Sequence, residues 1–225
     1  MVKIAVCYTG LNPTVAGVTE NSIKNVMGDK KYQLVTYSRP DAVAETQAAG
    51  ELTDHAFALM AKSYFDAMWS GADIIYNVCS TIGDAPLMLK PIFRKFGVPL
   101  LQCDEEMMRQ AVNTYERIAL VATSETTMRP CVRLINECMK QEEKTPEITE
   151  VIVDSAFKKP MSVLREETVK AVKPIMDTID CVVLTQASWY AAGLEISEDL
   201  GGFPVLSASE YGPQQLIREI EALGK

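Results

Sequence analysis

Cys79 is the residue whose setting best fits chemistry. It follows the apolar run DIIYNV and precedes Ser80, Thr81 and a turn containing Gly83 that leads into a helix. A thiol at the carboxyl end of a strand meets unpaired backbone N–H groups and the positive end of a helix dipole. Both favour the thiolate and predict a pKa below the free value of about 8.5. Such a thiol can serve as base, acid or nucleophile near neutral pH. Packing accounts for the others more simply: Cys7 and Cys181 fall in or at the start of strands, and Cys131 and Cys138 share a helix face. Cys103, at another strand end, is the one rival.

The residues just after each strand-like run are the next candidates. They are Thr9, Gly10 and Asn12; Cys79, Ser80 and Thr81; Asp104; Thr123, Ser124, Thr126 and Thr127; Gln186, Ala187 and Ser188; and Ser209. Neutral donors dominate, with no Lys, Arg or His in the set. Together with helix N-termini they suit a small carboxylate held by backbone and hydroxyl hydrogen bonds. Ordinary N-capping explains each Ser, Thr or Asn taken alone.

The elements that must position these residues alternate. Strand-like runs occur at 4–8, 32–37, 74–78, 100–102, 118–122, 148–153, 182–185 and 205–206. Helical patterns run at 14–27, 54–70, 87–96 and 105–113, then at 127–141, 162–179, 189–200 and 213–223. The pattern predicts an α/β protein with four strands and four helices in each half. The halves also match in sequence. KIAVCYTG at 3–10 aligns with RIALVATS at 117–124, DIIYNVCST at 73–81 with DCVVLTQAS at 180–188, and GVPLLQCDE at 97–105 with GFPVLSASE at 202–210. Matches in one order with slowly drifting offsets predict a duplicated unit. The expected architecture is two similar lobes, 1–113 and 114–225, each a mainly parallel four-stranded sheet flanked by helices and related by a pseudo-two-fold, with the helix at about 212–225 packing on the first lobe. In such sheets ligands bind beyond the carboxyl ends of the strands, and the two-fold brings the two sets of ends to one cleft.

Composition narrows the classes. The 225 residues are 48% hydrophobic and carry a formal charge of −8. That is ample chain for a packed core and a poor electrostatic partner for nucleic acid. No run approaches the roughly 20 apolar residues that span a bilayer, and the N-terminus reads directly as a strand rather than a targeting segment. Six cysteines without a CxxC pair read as reduced thiols of a cytoplasmic protein. One histidine, His55, supports neither a zinc site nor a Ser-His-Asp triad, and no phosphate-binding glycine motif occurs. No metal or cofactor is expected.

Asn12-Pro13-Thr14, Cys79-Ser80-Thr81, the Ala122-Thr123/Thr126-Thr127 stretch and the position of VVLTQAS resemble the aspartate/glutamate/hydantoin racemase superfamily over nearly the whole chain. The resemblance implies an inter-lobe site and a cofactor-free reaction in which two cysteines exchange protons on opposite faces of the carbon beside a carboxylate. Cys79 matches the first-lobe cysteine and Thr81 the threonine of the family's Cys-Asn-Thr pattern, with Ser80 replacing its asparagine. Thr123, Ser124, Thr126 and Thr127 match the loop that holds the carboxylate. The second cysteine is replaced by Gln186, which has no titrating proton. Cys181 lies at the other end of the same strand. The chain is more similar to the branch with C-S-S/T after the third strand and Q-A-S after the seventh.

The leading expectation is therefore one-thiol acid/base chemistry, isomerisation or decarboxylation of a small carboxylic acid. Cys79 is catalytic in this reading, and Asn12, Ser80, Thr81, Thr123, Ser124, Thr126, Thr127, Gln186 and Ser188 bind substrate. A thiol that adds to substrate, as in the related maleate isomerases, and a two-lobed carboxylate-binding protein without catalysis are the alternatives. The resemblance also implies a homo-oligomer. Trp189 and Tyr190 either cap the pocket or pack between helix and sheet, and Asp104 and Glu106 either polarise Cys79 or cap a helix.

Overall fold

In the computed structural model, residues 1–10, 12–157, 159–189 and 192–225 are described, with the side chain of Ser188 outside the description. Eight strands form two four-stranded parallel sheets. The first holds β1 (Val2–Tyr8), β2 (Tyr32–Ser38), β3 (Ile74–Val78) and β4 (Leu100–Gln102), in the order β2-β1-β3-β4. The second holds β5 (Arg117–Ala122), β6 (Glu147–Ile152), β7 (Cys181–Leu184) and β8 (Val205–Ser207), in the order β6-β5-β7-β8. The topology is the same in both, as duplication requires. The match extends to single hydrogen bonds. At the amino edges, the Lys3 N–H donates to Asp73 and the Arg117 N–H to Asp180, at 2.8 and 2.9 Å.

The central strands are buried on both faces, which is why they read as continuous apolar runs. Ile4, Val6 and Tyr8 share an inner core with Ile118, Leu120 and Ala122 of the second sheet. Ala5 and Cys7 face an outer core, and Ala119 and Val121 face another. The strand period of two thus sorts side chains between one shared core and two peripheral ones.

The helices are α1 (Pro13–Met27), α2 (Pro40–Ala49), α3 (Asp54–Trp69), α4 (Asp84–Lys95), α5 (Glu105–Thr114), α6 (Glu125–Glu142), α7 (Met161–Val172), α8 (Gly193–Asp199) and α9 (Ala208–Ala222). Among the described residues the first half therefore has five helices, not the four expected. The addition, α2, is alanine-rich and buries only Ala42 and Thr46, so it carries little amphipathic signal. Its ends were nonetheless marked, by Pro40 in the first turn and by Gly50 at φ 77° beyond the last. The expected helix at 162–179 ends at Val172 and continues as a 3₁₀ turn, Lys173–Thr178, at Pro174. The one expected from 189 begins at Gly193.

The C-terminal helix α9 lies against the first half. Leu216 and Ile220 enter the shared core, and Gln215 Nε2 donates to Glu105 Oε2 at 2.9 Å. Gly212 sits where a Cβ would overlap both Tyr76 Oη and the Cys103 carbonyl. Within this fold α5, α6 and α9 fill the space between the sheets and bring both sets of carboxyl strand ends to one side.

Candidate functional site

Cys79 leaves β3 in extended conformation and caps a 3₁₀ turn, Ser80–Ile82. The turn aims the N–H groups of Thr81 and Ile82 at the sulfur, and Thr9, at the end of β1, supplies a hydroxyl. These donors do favour the thiolate. Burial outweighs them, and the charge of Asp104 adds to it, so the thiol is raised above its ordinary value rather than lowered. The donors expected at this strand end are present, but desolvation by a second lobe packed over the turn, which local sequence does not report, outweighs them.

That packing is close. Gly83, after the turn, leaves no room for a side chain: a Cβ would stand 2.9 Å from the Ser80 carbonyl, 3.1 Å from Gln102 Oε1 and 3.5 Å from Pro130 of α6. Across the junction, Thr81 Oγ1 and Thr127 Oγ1 hydrogen-bond at 2.9 Å. Ser124 caps α6 and donates from Oγ to Thr127 Oγ1 at 3.2 Å. With that lone pair occupied, Thr127 can pass its proton to Thr81, which frees the Thr81 hydroxyl to donate elsewhere.

On the second-lobe side, Gln186 occupies the position equivalent to Cys79. Its Oε1 accepts from the Thr123 N–H at 2.7 Å and from Thr123 Oγ1 at 3.0 Å. Ser124 and Thr126 line a cavity of about 460 Å³ together with Phe157 and with Ala44, Gln47 and Ala48 of α2. The helix that sequence reasoning overlooked is thus a wall of the inter-lobe cavity. Pro40 and Gly50 were the signal that could have found it.

Of the expected site residues, Thr81, Thr127 and Ser124 form one hydrogen-bonded chain and Thr123 and Gln186 a second, with the Thr81 N–H at Cys79; Ser124 and Thr126 line the cavity and the others do not. Ser80 is buried, its hydroxyl turned to Asp104. Asn12 caps α1, accepting from the Thr14 N–H at 2.9 Å, and is exposed. The expectation for the Ser188 side chain and that for Tyr190 lie outside the described residues. Trp189 is fully buried in the outer core of the second lobe. His55 is exposed and contacts Glu45 at 2.7 Å. Arg39, directly after β2, was not among the strand-end residues considered; its Nε donates to Ser63 Oγ on α3 at 2.9 Å. Among the described residues no three His, Cys, Asp or Glu side chains cluster to hold a metal ion, and no helix is long and apolar enough to cross a membrane.

The fold, two α/β lobes each with a four-stranded parallel sheet flanked by helices, is shared with solved glutamate, aspartate and allantoin racemases. A glutamate racemase from Bacillus anthracis superposes with a TM-score of 0.73 at 12% identity, covering 99% of this chain and 83% of that one. An aspartate racemase from Picrophilus torridus gives 0.70 at 13% identity, with 100% and 95% covered. An allantoin racemase from Klebsiella pneumoniae gives 0.62 at 12% identity, with 100% and 89% covered. The sequence matches no protein-family model and no curated protein. What this chain shares with those enzymes is the fold.

Proposed function

We propose that the protein is a cofactor-independent acid/base isomerase or decarboxylase acting at the carbon beside the carboxylate of a small acid. Cys79 gives or takes the proton on one face. The hydroxyls and N–H groups of Thr81, Thr123, Ser124, Thr126 and Thr127 hold the carboxylate and take up enolate charge, a task for preorganised donors. Gln186 orients the substrate from the opposite side. The observation that carries this reading is the pairing of a thiol under two backbone N–H groups in one lobe with a hydroxyl-lined helix start in the other. The racemases of the same fold act on small carboxylates or related compounds, as their names state.

With one titrating group, protonation comes from one face and a single product stereoisomer results. The raised thiol disfavours both roles that need the thiolate, addition to substrate and proton abstraction, and favours proton donation. The test is proton NMR in D₂O with a panel of small amino, hydroxy, keto and dicarboxylic acids, wild type beside Cys79→Ser. Cysteine-dependent exchange or loss of one carboxylate is expected. Turnover that survives the substitution would overturn the assignment, and binding without turnover would make this a carboxylate-binding protein.

Two further features complete the proposal. All six cysteines are free thiols, which suits the reducing cytoplasm. Trp69, Met88, Ile92 and Phe96, on or just after α3 and α4, are large apolar side chains left exposed. Exposed apolar side chains of this size favour association with a second copy of the chain.

A further inference from the structure

Beside Cys79 lies a buried acid that the reaction scheme above leaves unused. Asp104 is 2% exposed. β3 and β4 pair with Asn77 opposite Gln102, and the Cys103 N–H still donates to the Asn77 carbonyl at 3.0 Å. Carried two residues further, that register sets Asp104 next to Cys79 at adjoining strand ends, one strand spacing of about 5 Å across. Between them lies Ser80, whose hydroxyl is turned to the Asp104 carboxylate and whose backbone belongs to the turn under the sulfur.

The surroundings fit a carboxyl that changes state. Ser80 Oγ and both ends of the Gln102 amide are buried and complete no hydrogen bond. The Gln102 amide reaches the same turn, at Gly83. A hydroxyl can donate or accept, so Ser80 can serve Asp104 either ionised or protonated. Burial raises the Asp104 carboxyl to about 6, opposed by Ser80 and its own backbone N–H and reinforced by Glu105. The other titratable groups that sense this pair are Tyr76 of β3, Cys131 and Cys138 of α6, and Tyr64 of α3 beside Cys79. None of them is a cation that would offset the charge of Asp104.

We infer that Asp104 is a positioning residue for Cys79: seated at the neighbouring strand end, beside the Ser80 turn, it adds to burial in keeping the sulfur protonated, so that Cys79 meets a substrate as an acid, the role that the decarboxylase form of the proposed reaction needs, where loss of CO₂ leaves an enolate that takes the thiol proton. The inference rests on Cys79 being the reactive thiol, and the test separates the two. The rate of Cys79 alkylation by iodoacetamide, read by peptide mass spectrometry, is measured from pH 5 to 10 in wild type, Asp104→Asn and Asp104→Glu. In wild type the logarithm of the rate should rise with unit slope at low pH and flatten as Asp104 ionises near pH 6. Asp104→Asn should remove the flattening and react about tenfold faster at pH 7.5, as expected when a neighbouring negative charge no longer opposes the thiolate. Asp104→Glu, which keeps the charge, should restore the wild-type shape. A wild-type profile of unit slope through pH 6 overturns the inference without recourse to any variant, as does an Asp104→Asn profile that matches wild type. No alkylation of Cys79 at any pH would instead remove the reactive thiol itself, and the inference with it.

Discussion

Thr123 grips Gln186 twice, donating to its Oε1 from the backbone N–H at 2.7 Å and from Oγ1 at 3.0 Å. The first lobe repeats the relationship at the equivalent positions, where the Thr9 hydroxyl meets Cys79. In each lobe the threonine ending the first strand orients the residue ending the third. In one lobe that residue can titrate. In the other it is a neutral amide whose oxygen is already satisfied, which leaves its NH₂ as the end free to donate.

Substitution at Gln186 should therefore separate orientation from proton transfer. Gln186→Leu loses the orienting amide and leaves the Thr123 donors unpaired, and should lower kcat/KM by about tenfold, one strong hydrogen bond's worth. Gln186→Cys supplies a titrating group on the second face. It should turn single-face exchange into racemisation of a single-enantiomer substrate, read by chiral chromatography. Racemisation by wild type would show that Gln186 does not limit the reaction to one face.

The Thr81–Thr127 hydrogen bond joins two buried hydroxyls across the lobe junction. Thr81→Val or Thr127→Val leaves the partner short of a hydrogen bond in a dry site, which should cost about 1–3 kcal/mol each. The double substitution should cost less than the sum, because neither orphan then remains. Urea unfolding of the four proteins measures the coupling, and strict additivity would show that the pair does not interact.

The fold was legible because buried parallel strands write themselves as apolar runs, and a duplicated unit writes them twice. Helix α2 escaped because its inward face is alanine and threonine, too small to raise a periodic signal. At the site, the positions of Cys79, Thr81 and Thr127 followed from strand ends and caps. The protonation of Cys79 did not, since it depends on how tightly α6 closes over the turn at Gly83. Spacing along a chain reports which donors reach a sulfur, not how much water is excluded from it.

Gly212 marks the closest approach of α9 to the first sheet, against Tyr76 Oη and the Cys103 carbonyl. The Cys103 carbonyl is backbone and yields little. Gly212→Ala should therefore push α9 outward and destabilise the chain by about 1–3 kcal/mol or more, as overpacking does. A thermal melt checks it. Gly17→Ala is the control, since Gly17 is also helical and has open space around its Cβ. No greater loss at Gly212 than at Gly17 would mean that the contact at Gly212 contributes nothing special.

Trp69 is 75% exposed and stacks at 5.7 Å on Phe65, with Phe96 58% exposed nearby in the chain after α4. If these side chains seat a second copy, Trp69→Ser with Phe96→Ser should shift sedimentation velocity from dimer or larger to monomer while circular dichroism stays unchanged. A wild-type monomer at micromolar concentration would dispose of the proposed association.

Stability should also carry the signature of Asp104. Its carboxyl is raised from an ordinary 3.8 to about 6, chiefly by burial. Between these values the folded chain holds a proton that the unfolded chain has released, so stability increases as pH falls from 6 towards 4 and is lost as pH rises through that window. Asp73, Asp180 and Asp199 are lowered instead, so their contributions are present above about pH 4 and fade only as pH falls below it. The stability difference between Asp104→Asn and wild type should therefore move by roughly 2–3 kcal/mol in favour of the variant between pH 4 and pH 8. Urea denaturation at a series of pH values measures this directly. A difference that stays constant across the range would mean that the buried carboxyl titrates alike in both states, and that burial does not set its charge.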